Sequence, residues 1–353
     1  MPSGTDRKRQ KPNGKNNKFI SLAEKLRFLK RGQHYSENPK RVFNKETHMS
    51  WVFLTDVYVY KLKKPVRFDY LDFSSVKKRK EDCEREVELN SRLAQDTYLR
   101  VIPLCLDNQQ QLQLDGKGKA VDWLVKMRKL DENLMLDTLI KNGEVEKAQV
   151  QKAAEHLTQF YQGLEAENIS SFDYWNKIMR GVKENYAALL DPAYQLSTDL
   201  IKEVITALQL FLTDHDDLLE ARVSAGKIVE GHGDLRPEHI CLDIKPVIFD
   251  CLEFNKELRT VDMADELAFL AMECEMLGNT EVAQWFTDIY QKNTEDNFSE
   301  KLFKFYQCNR SCLRAKLSAQ HIYEPQYQND KKWLEKAKAY LNLANQYAEA
   351  LRK

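Results

Sequence analysis

The hydrophobic pattern changes character part-way along the chain. Between residues 150 and 164, Val150, Ala153, Ala154, Leu157, Phe160, Tyr161 and Leu164 recur at the i, i+3, i+4, i+7 spacing of one helix face. Similar patterns run to about residue 220 and return over 262–277, 281–292, 299–323 and 331–351. The first third reads differently. WVFLT (51–55) and VYVYKLK (57–63) are β-branched and aromatic, which predicts two antiparallel strands joined by a tight turn at Asp56. YLRVIPLCL (98–106) and AVDWLVKMRKL (120–130) predict further strands, with a short strand between them. One helix is expected in this part at 75–94, with an apolar stripe of Val76, Cys83, Val87 and Leu93. A shorter amphipathic helix, FISLAEKLRFLKRG, is expected to end at Gly32.

The helical part has one interruption. KIVEG, ICL and PVIFD are short apolar runs inside 227–254, and they hold the octapeptide HGDLRPEH (232–239) at both ends. Loops anchored on rigid scaffold are where catalytic groups are usually presented. Two lobes follow from the pattern, a β-rich one and a helical one. The cleft between them is the expected ligand site.

Composition narrows the function. The 353 residues carry 54 basic and 54 acidic side chains, so the formal net charge is zero and no polyanion partner is expected of the body. Residues 1–18 are the exception, with Arg7, Lys8, Arg9, Lys11, Lys15 and Lys18 against Asp6. With almost nothing apolar to bury, this tail is expected to be disordered; an arm for nucleic acid or anionic lipid is the sharper reading of the same residues. Nucleic acid is not an expected partner of the rest. No run approaches the ~18 apolar residues of a membrane span, and there is no signal-peptide pattern. The seven cysteines are odd in number and scattered, with no C-x-x-C. They are read as reduced, mostly buried thiols, Cys308 and Cys312 among them, and a cytoplasmic location is expected.

The octapeptide and the strand after it bring together the residue types that phosphoryl transfer needs. One carboxylate must orient the attacking hydroxyl, and another, with a second ligand, must hold a metal on the phosphates. A cation offsets charge on the transferred group. Asp234, Asp250, His239 and Arg236 fill those roles in that order.

HGDLRPEHI resembles the catalytic loop of the protein-kinase-like superfamily, which reads H-R-D-L-K-P-E-N in protein kinases and H-G-D-L-H-x-x-N in aminoglycoside phosphotransferases. The glycine after His232 favours the second. VIFDCLEF resembles the metal-binding segment. VDMADELAFL (261–270) resembles the helix start after it, whose acids, such as Asp262 and Asp265, brace the loop. VYKLKKP resembles the strand whose lysine holds the α- and β-phosphates: Lys61, with Lys63 as the alternative because both share one strand face. CEREVELNSRL resembles the helix whose glutamate, here Glu86, pairs with that lysine. WLVKMRKL would enter the hinge that meets adenine, which places Met127 there. More narrowly, ETHMSWVFLT, YKLKKPV, LDFS, ELNSRLA, HGDLRPEHICL and DCLEFN resemble an uncharacterised bacterial group of aminoglycoside-phosphotransferase-like proteins over roughly 40–325. Some of that group resemble fusions with a P-loop kinase; no G-x-x-x-x-G-K-[ST] occurs here, and the match is to the stand-alone form.

The resemblance implies an α+β, bilobal, protein-kinase-like fold: a small β-rich N-lobe at 19–128 and a larger helical C-lobe at 129–353. It implies an ATP-dependent phosphotransferase acting on a hydroxyl of a small molecule, with Mg²⁺, or Mn²⁺ because of His239. Two departures stand out. His239 replaces the superfamily's asparagine, and imidazole suits softer metals than Mg²⁺; hydrogen bonding within the loop is its plainer role. The turn KETHMS has no glycine, and Thr47, His48 and Ser50 supply its donors or simply face solvent. Those departures support an alternative, a nucleotide-binding pseudokinase or regulatory module on the same scaffold. His232 is expected to brace the loop. Arg236 has two readings, a phosphate contact or a partner of Glu238. Arg310, Arg314 and Lys316 are a solvated helix face, a basic wall of the substrate pocket, or a phosphate contact. Trp51 is expected in the core.

Overall fold

The computed structural model describes residues 20–68, 70–324, 327 and 330–353. The basic tail of 1–18 lies outside them. A six-stranded sheet, ordered β1-β2-β3-β8-β6-β7, forms the N-lobe. Its strands are β1 (Phe43–Glu46), β2 (Ser50–Leu54), β3 (Tyr58–Lys63), β6 (Tyr98–Leu106), β7 (Leu112–Leu114) and β8 (Lys119–Arg128). Every pairing in it is antiparallel. A small hairpin, β4 (Arg67–Phe68) and β5 (Leu71–Asp72), follows β3.

The β2–β3 hairpin is there as expected, though its turn takes three residues, 55–57, and is closed by Thr55 N–H on the Tyr58 carbonyl at 2.9 Å. β1 has no counterpart in the sequence reading. All four of its residues are exposed, so no alternation marked it. Helix α1 (Leu22–Leu29) starts on a Ser21–Glu24 capping box. It ends at Leu29, three residues before Gly32, which opens a 3₁₀ turn instead. A Cβ on Gly32 would lie 2.0 Å from the Pro39 carbonyl oxygen.

α1 packs on one sheet face through Leu29, Phe53, Tyr60, Leu62 and Leu124. Trp51 is half-buried against this cluster. Helix α2 (Val76–Ala94) covers the other face. Its inward stripe is Arg79, Cys83, Glu86, Asn90 and Leu93, with Val76 and Val87 only flanking it. Three polar side chains in that stripe hid its phase from an apolar count.

The C-lobe holds α3 (Leu136–Asn142), α4 (Lys147–Gln162), α5 (Ser171–Leu189), α6 (Thr198–Asp214) and α7 (Asp216–Ser224). After the β-island come α8 (Lys256–Arg259), α9 (Met263–Met276), α10 (Glu281–Thr294), α11 (Glu300–Gln320) and α12 (Lys332–Leu351). α5, α6, α9, α11 and α12 share one apolar core, and α3, α4 and α10 close a second around the island. Burying each large apolar side chain contributes about 1.5–3 kcal/mol. All seven cysteines are buried and unpaired. Among the described residues no helix is long and apolar enough to cross a membrane.

The island consists of β10 (Ile240–Cys241) paired with β11 (Val247–Ile248), and β9 (Ile228–Glu230) paired with β12 (Thr260–Asp262). It holds the octapeptide between β9 and β10, and the segment from Asp250 directly after β11.

Candidate active site

Lys61 and Lys63 project from the same face of β3 towards α2, and Glu86 lies between them. Lys61 Nζ is 2.8 Å from Glu86 Oε1 and 3.0 Å from Asp250 Oδ1. Lys63 Nζ takes the other oxygen, Glu86 Oε2, at 2.6 Å, with Asp82 Oδ2 at 2.6 Å and Glu253 Oε1 at 2.5 Å. Lys61 is therefore the lysine brought to Asp250, and Lys63 is walled in. The triad Asp82, Glu86 and Glu253 has the spacing of a metal site, but an ammonium with three donors already serves its three carboxylates. Burial works against both charged lysines. Asp250 and Glu86 outweigh it at Lys61, and Glu253 and Glu86 at Lys63, so both pKa values are raised.

The backbone of the octapeptide is pinned before its charged groups begin. Gly233 sits at φ +85°, and a Cβ there would approach Arg259 Cβ to 2.9 Å. His232 Nε2 is 2.9 Å from the Phe249 carbonyl oxygen, so that nitrogen donates, and Nδ1 accepts from Asp234 N–H at 3.3 Å. Burial, then His239, pushes the His232 pKa down to about 4, so it stays neutral and braces the loop. The acidic brace is Glu266, which accepts from the backbone N–H groups of His232 (3.0 Å) and Gly233 and from the Tyr161 hydroxyl (2.9 Å). Asp262 and Asp265, expected in that role, are drawn away by arginines. Asp262 caps α9 and pairs with Arg222 at 2.7 Å, and Asp265 pairs with Arg310 at 2.6 Å.

Asp234 Oδ2 is 2.8 Å from Arg236 Nη2, and Arg236 Nη1 reaches Glu238 as well. Arg236 is thus a partner of Glu238, and its side chain joins the two acids. Burial opposes ionisation of Asp234. Arg236, His239 and Arg314 outweigh it and lower its pKa to about 2. His239 Nδ1 lies 2.8 Å from the Asp234 carbonyl oxygen, which can only accept, so Nδ1 carries the proton. Its Nε2 lone pair then faces Asp250 Oδ2 at 3.6 Å and accepts from Arg236 Nη2 at 3.3 Å.

Asp250 adopts φ +60°, a left-handed conformation that costs a non-glycine residue about 1–2 kcal/mol. Its surroundings impose it. Asp250 N–H donates to the Tyr98 hydroxyl (3.2 Å), Cys251 N–H to Asn90 Oδ1 (2.8 Å) and Leu252 N–H to the His232 carbonyl (3.0 Å). Burial raises and Lys61 then lowers the Asp250 pKa, with a net depression. Asp250 Oδ2 and His239 Nε2, 3.6 Å apart, are the atoms that could hold a divalent ion here if Arg236 released the nitrogen. The nitrogen donor suits Mn²⁺ better than Mg²⁺.

In the glycine-free turn, Thr47 Oγ1 donates to the Ser50 carbonyl (3.1 Å) and accepts Ser50 N–H (3.0 Å), so the turn spends those groups on itself. His48 stacks on Phe68 with centroids 5.0 Å apart. Met127 lies near the end of β8, opposite Val59 and Tyr98, in an apolar cluster with Val101, Trp123 and Phe249. On α11 the solvated-face reading fails. Arg310 is buried on Asp265, Arg314 Nε is 2.6 Å from Glu273 Oε1, and burial lowers the Lys316 pKa. Asp82, Glu253 and Glu266 had not been singled out. Asp82 and Glu86 stand four apart, so a shared helix face aimed at β3 was the available signal.

No family model matches the chain. An uncharacterised protein of Mycobacterium tuberculosis is 33% identical over 276 residues, covering 77% of this chain and 54% of its own length. One from Mycobacterium bovis matches equally. The chain spans about half the length of the curated relatives it matches. Among solved structures, choline kinase from Cryptosporidium parvum superposes with TM-score 0.54 at 10% identity, covering 93% of this chain and 95% of its own. An aminoglycoside 2'-phosphotransferase in complex with GDP gives 0.51 at 12%, over 87% and 91%. A choline/ethanolamine kinase family protein from Mesorhizobium loti gives 0.50 at 12%, over 93% and 98%. The chain has the bilobal, protein-kinase-like α+β fold.

Proposed function

We propose that the protein is an ATP-dependent phosphotransferase acting on a hydroxyl of a small molecule. The observation that carries this reading is Lys61, whose ammonium joins Glu86 on α2 to Asp250 beside the catalytic loop. That ion pair spans the two lobes at the point where phosphates would lie.

In this reading Lys61 positions the α- and β-phosphates and Met127 borders the adenine. Asp250 and His239 hold the divalent ion, which supplies positive charge to the phosphates. Asp234 orients the acceptor hydroxyl and accepts its proton. With a pKa of about 2 it is a weak base while Arg236 sits on it. Transfer of Arg236 to the phosphoryl group would strengthen Asp234 as a base and stabilise the charge developing on phosphorus. The 3.3 Å bond from Arg236 to His239 favours a second reading, nucleotide binding without turnover, because it occupies the ligand nitrogen.

Calorimetric titration with ATP, in Mg²⁺ or Mn²⁺, tests both. The expected result is metal-dependent binding abolished by Asp250→Ala, then transfer to a hydroxyl compound that Asp234→Ala removes. Absence of binding with either metal would sink the phosphotransferase reading; binding with no transfer in a broad hydroxyl-compound screen would favour the second.

A further inference from the structure

Within electrostatic reach of Asp234 the C-lobe presents a charged cluster that the transfer machinery above does not use. Glu273 on α9 accepts the Tyr340 hydroxyl on both oxygens, at 3.0 and 2.8 Å, and lies 2.6 Å from Arg314 Nε. The Arg314 guanidinium is 5.5 Å from the Tyr340 ring centre and the Lys336 ammonium 5.7 Å. The buried tyrosine is thus a platform carrying two cations, one from α11 and one from its own helix α12.

Neither cation is fully used. Glu273 is the only carboxylate paired with Arg314 among the described residues, and it is shared with Tyr340. Lys336 has no ion-pair partner among them. Both cations belong to the neighbourhood of the reacting groups. Arg314 acts electrostatically on Asp234 and Glu238, and Lys336 feels Arg314, Glu273, Glu238 and Arg236. Of the three acids there, Glu238 is engaged by Arg236 and Glu273 by Arg314. A cationic acceptor would meet two underused cations and no acid to spare beyond Asp234. An anion would meet a planar guanidinium fork, the geometry that matches carboxylate and phosphate, beside a point charge.

We propose that the acceptor is an anionic hydroxy compound whose carboxylate or phosphate-ester group is held by Arg314 and Lys336 while its hydroxyl reaches Asp234. The inference rests on the phosphotransferase reading. The hydroxyl proton passes to Asp234, and the acceptor oxygen bonds to the γ-phosphorus of ATP. The bond from that phosphorus to the β,γ-bridging oxygen breaks, and ADP leaves with the electron pair.

The test is calorimetry on the full chain saturated with AMP-PNP and Mn²⁺, titrated with sn-glycerol 3-phosphate, D-glycerate, glycerol and choline. The two anions separate a phosphate ester from a carboxylate. At least one is expected to bind saturably, with glycerol and choline tenfold weaker or worse. Arg314→Gln and Lys336→Gln should each weaken that anion tenfold or more, with Arg314→Lys recovering part of the loss. Lys338→Gln, exposed on the same helix, should change nothing. Thermal melts report folding, and the exposed Lys336 keeps the test valid if Arg314→Gln unfolds. Failure of both anions to bind, equal binding of choline or glycerol, or an unchanged anion affinity in the folded variants would overturn the proposal. The AMP-PNP titration that precedes the probes separates the two readings: no nucleotide binding sinks both, whereas nucleotide binding without anion discrimination sinks this one alone.

Discussion

Lys61 and Lys63 are two residues apart on one strand face and share one glutamate, yet their surroundings are opposites. Lys63 is completely buried, with an acid on each of its three donors. Lys61 touches two acids, and one of them, Asp250, has a side chain 43% exposed. The first arrangement is closed and ties β3 to α2 and to the segment after Asp250. The second is open and has capacity for a ligand. The difference teaches that a charge becomes structural when every donor is claimed, and remains available for chemistry when its partner still faces the cleft.

Breaking the closed site should cost most. Lys63→Met leaves three acids around a vacated ammonium position, and loss of one partner of a buried ion pair typically costs about 3–5 kcal/mol. Denaturant unfolding should show it; a loss below about 1 kcal/mol would mean that the cage relaxes freely.

Acid should act next, through the buried frame under the open site. Burial holds the His232 pKa down at about 4. An unfolded histidine binds its proton near pH 6.5 and the folded one does not. Stability is therefore fully present above pH 6.5 and falls as pH drops from 6.5 through 4, by about 3 kcal/mol in total. Melting curves across this range should show the decline, and His232→Gln should flatten it.

Smaller again is Glu253→Gln. Burial, aided by Glu86 and Asp82 against Lys63, raises the Glu253 pKa. Its charge is the most readily surrendered of the three, so the amide should cost about 1 kcal/mol, the scale of one ordinary hydrogen bond. A cost equal to that of Lys63→Met would show that all three charges are needed.

Lys61→Met should cost about 1–3 kcal/mol, because Asp250 can turn to water while the buried Glu86 Oε1 loses its partner. ATP affinity should nevertheless fall tenfold or more in the same variant. Unchanged affinity would erase the distinction between the two lysines.

Much of this was legible in the sequence, for identifiable reasons. The helices of the C-lobe announced themselves by apolar spacing, and HGDLRPEH by its residue types between short apolar runs. Asp234, Arg236, His239, Asp250, Lys61 and Glu86 do meet in one place, although their chemical roles remain proposals. What escaped was decided by partners far along the chain. Asp262, Asp265 and Glu266 stand i, i+3, i+4 at the N-terminal end of α9, the first as its cap, and spacing cannot say which reaches the loop. Arg222 and Arg310 settle it by claiming the first two. The choice between Lys61 and Lys63 had the same character, because strand alternation makes them equivalent until Asp82 and Glu253 are placed. β1 was invisible because a fully exposed edge strand carries no period.

The left-handed backbone at Asp250 has a practical consequence for anyone evolving this chain. Glycine adopts that conformation without steric cost, so Asp250→Gly would relieve strain and remove a charge in a single step. A library screened for heat resistance alone would be drawn to that substitution, and its winners would be robust proteins stripped of the proposed metal ligand. Directed evolution of this scaffold therefore has to score nucleotide binding in every round, since melting temperature would reward the loss of the site.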